Sequence, residues 1–77
     1  MSRVFTDQNL LTWEAYASGG KFGLPERPKI VFNCLSLQDQ RARYVVLDGD
    51  EADAEEAVGG MPEERLRELL SASRELD

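Results

Sequence analysis

The chain changes character at Asp48, and that break constrains its fold more than any other feature. Aromatic and β-branched residues lie before it, with only Val58 after it, whereas Ala, Glu, Leu and Arg dominate residues 48–77. Branched and aromatic side chains suit a pleated, half-buried strand; Ala and straight-chain residues lose least in a helix. Strands first and helices second is the order of an α+β domain rather than of alternating βαβ units. Charge breaks at the same place. Residues 1–47 carry six basic and four acidic side chains, and residues 48–77 carry three basic and eleven acidic ones.

Strand candidates follow from alternation. Residues 3–6 and 11–17 flank Asp7-Gln8-Asn9, whose short polar side chains favour a turn, so the two segments read as a hairpin. On the second of them Leu11, Trp13, Ala15 and Ala17 share one face. Residues 18–28 hold three glycines and two prolines and form a loop. Residues 29–36 are apolar on nearly both faces, which places that strand centrally. A turn at 37–40 leads to a fourth strand at 42–47, with Tyr44 and Val46 expected inward. Beyond Asp50 as N-cap, residues 51–58 read as a helix ended by Gly59-Gly60. A second helix over 62–75 shows a stripe of Leu66, Leu69, Leu70, Ser73 and Leu76. The expected architecture over residues 1–77 is a four-stranded antiparallel meander with one or two C-terminal helices on one face. Leu66, Leu69 and Leu70 would then meet Trp13, Phe32 and Tyr44 or its neighbours. Thr12, Glu14, Tyr16, Lys29 and Asn33 make the opposite face polar, which favours a monomer over a homodimer.

The residue inventory narrows the chemistry. A single domain of 77 residues has little room for an enclosed substrate cavity. With no histidine, Ser-His-Asp and Cys-His catalysis and imidazole metal sites are excluded. Cys34 is the only cysteine, which excludes an internal disulfide; in its apolar run it reads as a buried, inert thiol. The acidic run Asp48, Asp50, Glu51 and Asp53 suggests a divalent-metal site, but the calcium-loop register fails. Counted from Asp48, Ala52 stands at a ligand position and Gly59 where glutamate is required. Ser18-Gly19-Gly20-Lys21 departs from the phosphate-loop pattern at Ala15 and Phe22.

Two binding surfaces remain. Lys21 and Phe22 stand between glycines on a loop, with Arg27 nearby, and loops of this kind carry recognition. Arg41 and Arg43, with Tyr44, give the strand half a basic and aromatic character suited to single-stranded nucleic acid. Fifteen acidic against nine basic residues argue against that partner, because the whole chain repels phosphate.

In order, Val4-Phe5-Thr6-Asp7, Thr12-Trp13-Glu14-Ala15-Tyr16, Ile30-Val31-Phe32, Arg41-Ala42-Arg43-Tyr44 and Glu68-Leu69-Leu70 span most of the chain. Together they resemble a loose group of small uncharacterised bacterial proteins. These pair a Phe-x-Asp…Trp hairpin with an apolar strand, an Arg-rich strand and a leucine-bearing C-terminal helix. The resemblance implies the fold and no activity. It departs at Leu10, where the hairpin calls for glycine.

The expected function is a non-catalytic protein-interaction or regulatory module that uses no cofactor and binds an unidentified protein. Nucleic-acid binding and a divalent-metal site are the alternatives. No stretch of about 18 apolar residues is present, and the first residues lack a secretory h-region, so a soluble cytoplasmic protein is expected. The acidic surface also suits a salt-rich cytoplasm, where screening lowers self-repulsion.

Overall fold

The computed structural model describes residues 2–18, 28–37, 39–47 and 51–75, with 51–53 described by backbone alone. Strands β1 (Ser2–Thr6), β2 (Thr12–Ser18), β3 (Lys29–Cys34) and β4 (Arg43–Val46) precede helices α1 (Glu51–Gly60) and α2 (Glu63–Ala72). A short β5 (Arg74–Glu75) follows. The strands form one sheet in the order β1-β2-β3-β4-β5, antiparallel throughout, and both helices pack on one face of it. This is an α+β fold, with the apolar β3 at its centre as its two-sided hydrophobicity requires. Among the described residues no helix is long and apolar enough to cross a membrane.

Alternation decides the core. Phe5, Trp13, Ala15, Ile30 and Phe32 turn to the helices, where they bury against Val58, Leu66 and Leu70. The rings of Phe5 and Phe32 meet edge to face, centroids 6.0 Å apart and planes at 80°. Both helices use the expected spacing. Ala54 and Val58 are buried one turn apart on α1, and Leu66 and Leu70 one turn apart on α2.

Four expectations are corrected. Val45, not Tyr44 or Val46, turns to the core: it pairs with Ile30, while Tyr44 and Val46 lie on the far face, Val46 46% exposed. The cause is Arg43, which shares Val45's face. Its long stem carries the guanidinium out to Ser73, so an arginine on the inner face strands no charge. Among the described residues the sheet has five strands rather than four, because α2 stops at Ala72 instead of 75. Ser73 is extended (φ −76°, ψ 162°) and Arg43 holds both its hydroxyl (2.8 Å) and its carbonyl (2.7 Å). That directs Arg74 and Glu75 alongside β4. Helix α1 runs through Gly59 and Gly60 instead of ending before them. Arg3 reaches from β1 and donates to the carbonyls of Val58 (3.2 Å), Gly59 (3.3 Å) and Met61 (2.9 Å), which satisfies the helix end. Cys34 is half-buried rather than buried, packed against the edge of the core.

The hairpin between β1 and β2 explains the missing glycine. Asp7 N–H donates to the Leu11 carbonyl (2.8 Å), and Leu10 N–H donates to the Asp7 carbonyl (3.0 Å). A three-residue connection of this type turns through a final residue in the left-handed region, the usual place for glycine. Leu10 occupies it at φ 65°, with its side chain 82% exposed. A side chain there strains the backbone by roughly 1–2 kcal/mol. Leu10→Gly therefore relieves strain and loses no packing. Allowing for glycine's extra unfolded-state entropy, the variant is expected to gain about 0.5–1 kcal/mol. A denaturant midpoint measures it; an unchanged or lowered midpoint would show that the turn is unstrained.

Candidate functional site

A cleft of about 500 Å³ opens between this hairpin and α2, with Asp7, Trp13, Arg43, Arg67, Glu68 and Ser71 among its walls. Asp7 is placed by the turn, Trp13 by β2 and Arg43 by β4, while Arg67, Glu68 and Ser71 project from α2. Asp7 is the centre of its hydrogen bonding. One carboxylate oxygen accepts the N–H groups of Asn9 (2.8 Å) and Leu11 (3.0 Å), and the other accepts the indole N–H of Trp13 (2.8 Å). Burial by itself would raise the pKa of Asp7. The bonds from Leu11, Trp13 and Asn9, with the positive charge of Arg67, outweigh it and hold the carboxyl below its ordinary 3.8.

Each charged group that the cleft shares with the framework already serves that framework. Arg43 is bonded to Ser73 and lies 3.9 Å from Glu75. Arg67 donates to the Thr6 carbonyl at 2.6 Å and pairs with Glu63 at 3.4 Å. An ionised carboxylate filled with donors is a poor proton acceptor, and bonded guanidiniums are poor anion clamps. The cleft is built to hold the hairpin, α2 and the sheet together.

The opposite face of the sheet has no described element packed on it. Across it, the register sets Tyr16 opposite Val31 and Val31 opposite Tyr44, with Arg74 next in line. Val31 is only 5% exposed between these neighbours. The ammonium of Lys29 stands over the Tyr44 ring, 5.9 Å from its centre. Val4, 58% exposed, lies on the same face. At the β4–β5 end a depression of about 330 Å³ is lined by Tyr44, Val45, Val46, Ala72 and Arg74. Thr12, Glu14, Lys29 and Asn33 lie on this face as expected, and the phase of β4 adds Tyr44 and Val46 to it.

Of the residues singled out by sequence as binding or metal candidates, Arg41 and Arg43 are the ones whose side chains are described. Lys21, Phe22, Arg27, Asp48 and Asp50 lie outside the described residues, as do the side chains of Glu51 and Asp53. Arg41 and Arg43 meet at Glu75, at 4.0 and 3.9 Å, and Arg43 is also bonded to Ser73. Among the described residues no three His, Cys, Asp or Glu side chains are grouped to hold a metal ion. Sequence reasoning missed the framework roles of Arg3, Asp7 and Arg67. For Arg3 a signal existed: it shares the inward phase of Phe5 on β1. The chain matches no protein-family model, no curated protein and no solved structure.

Proposed function

We propose that the chain is a non-catalytic protein-interaction module whose partner, another protein, docks on the helix-free face of the sheet. The observation that supports this is the row Tyr16-Val31-Tyr44, an aliphatic side chain between two half-buried tyrosines on a face that no described element covers. Tyrosine is enriched at protein interfaces because it offers large apolar area, a polar tip and few rotamers. Protein is favoured over nucleic acid as partner, since Arg43 is spent on Ser73 and Arg41 lies beside Glu75. The proposal places the chain as a monomer in a bacterial cytoplasm, salt-rich in keeping with its acidic balance.

Affinity capture from the source lysate tests it, with wild type compared against Tyr16→Ser with Tyr44→Ser, and against Arg41→Glu. Two interface tyrosines at about 1–2 kcal/mol each predict roughly 30-fold or more weakening of one captured protein by the tyrosine pair. Arg41→Glu should leave that capture intact. Capture unchanged in a folded tyrosine variant removes the face from the mechanism. A captured species destroyed by nuclease makes the module a nucleic-acid binder instead.

A further inference from the structure

Strand β1 is an edge of the sheet, and the register fixes which of its backbone groups face outward. Asp7 N–H bonds the Leu11 carbonyl, so by antiparallel alternation Phe5 and Arg3 also direct their polar groups at β2. Ser2, Val4 and Thr6 direct theirs to the open side. At Thr6 both groups are met, and by side chains of α2. Arg67 Nε donates to the Thr6 carbonyl at 2.6 Å, and Thr6 N–H donates to Glu63 Oε1 at 3.4 Å. The two side chains lie one helical turn apart and pair with each other at 3.4 Å. A guanidinium donor and a carboxylate acceptor here stand where the carbonyl and N–H of a neighbouring strand would come. At Val4 no described residue supplies such a partner, and the side chain is 58% exposed.

The strand that fits this edge is β1 itself. A second copy laid antiparallel about a two-fold axis sets Val4 against Val4, and each Ser2 against the other copy's Thr6. Filling the Thr6 positions denies both outer pairs and leaves Val4–Val4 alone, a single pair against the ~1,000 Å² that a stable interface buries. We propose that Glu63 and Arg67 form a side-chain plug that stops β1 from pairing with β1 of a second copy, so that this pair sets the oligomeric state. The plug makes no use of the Tyr16-Tyr44 face, and its test is independent of the function proposed above.

Sedimentation over a series from about 10 μM to about 1 mM, the range in which exposed edges associate, supplies the test. Wild type should remain one species. Glu63→Ala with Arg67→Ala should shift to a dimer with rising concentration. Adding Val4→Lys, which sets like charges opposite each other across the two-fold, should return it to monomer. A folded double variant that stays monomeric overturns the proposal, as does a dimer indifferent to Val4→Lys. Should the double variant unfold, hydrogen exchange of the intact protein decides. The Thr6 amide must exchange about 5–10-fold more slowly than the Val4 amide, the ratio expected of one net hydrogen bond. Equal rates would show that no plug exists.

Discussion

Phe32→Ala is expected to leave much of the protein unfolded at room temperature. Phe32 is fully buried at the centre of the central strand, the largest side chain with no exposure among the described residues, and it meets Phe5 edge to face. Truncating a buried phenylalanine removes its transfer free energy and leaves a cavity that a close-packed sheet and two helices cannot fill. The usual cost is about 3–5 kcal/mol. A core in a chain this short supplies roughly the same amount. Urea titration followed by tryptophan fluorescence checks the expectation, because Trp13 reports on the same core. A loss below about 1 kcal/mol would mean that the helices close over the gap.

Asp7→Ala is expected to have the second-largest effect, about 2–3 kcal/mol, although Asp7 stands in a turn. It removes an ionised acceptor and leaves the indole N–H of Trp13 and two backbone N–H groups without their partner. Asp7→Asn separates charge from shape. Its carbonyl can still accept from Asn9 and Leu11, but its NH₂ group then faces the Trp13 donor. The pH dependence has a definite sign. The folded pKa lies below the ordinary 3.8, so the contribution of Asp7 is complete above the unfolded value and is lost as pH falls through the lower, folded one. Wild type and Asp7→Asn should therefore differ most near neutrality and converge below pH 3.8. A gap that stays constant through acid would show that the charge contributes nothing and that the loss comes from packing around the indole.

Both expectations rest on parts of the fold that a reader of the sequence can reach to different degrees. Phe32 as a core residue is legible, because the alternation of Ile30, Phe32 and Cys34 puts it on one face of the most apolar strand. The Asp7 turn is legible too, down to the position where Leu10 replaces an expected glycine. That Asp7 also binds Trp13 is not, since nothing in the spacing shows on which side of the hairpin the indole edge lies. The basic residues were least legible. Arg41 and Arg43 read as a basic surface, yet Arg43 fastens the end of α2 and Arg3 the end of α1.

Sequence alone determined the order of elements, the hairpin turn, the central place of β3 and the apolar stripe of α2. Each is a local matter: propensity, a period of two or of 3.6, or the backbone angles a turn demands. Tertiary structure alone decided the phase of β4, the fifth strand and the plug at Thr6. Alternation gives two faces without saying which is inner when valines stand on both, and only the site that Ser73 offers Arg43 breaks the tie. Arg74 and Glu75 have no strand pattern of their own and become one because Ser73 ends the helix beside β4. Thr6 and Arg67 are brought together by the packing of α2 under the sheet edge, a relation between distant residues that no local rule contains. The same packing leaves Tyr16, Val31 and Tyr44 on a helix-free face, the surface from which the proposed function is argued.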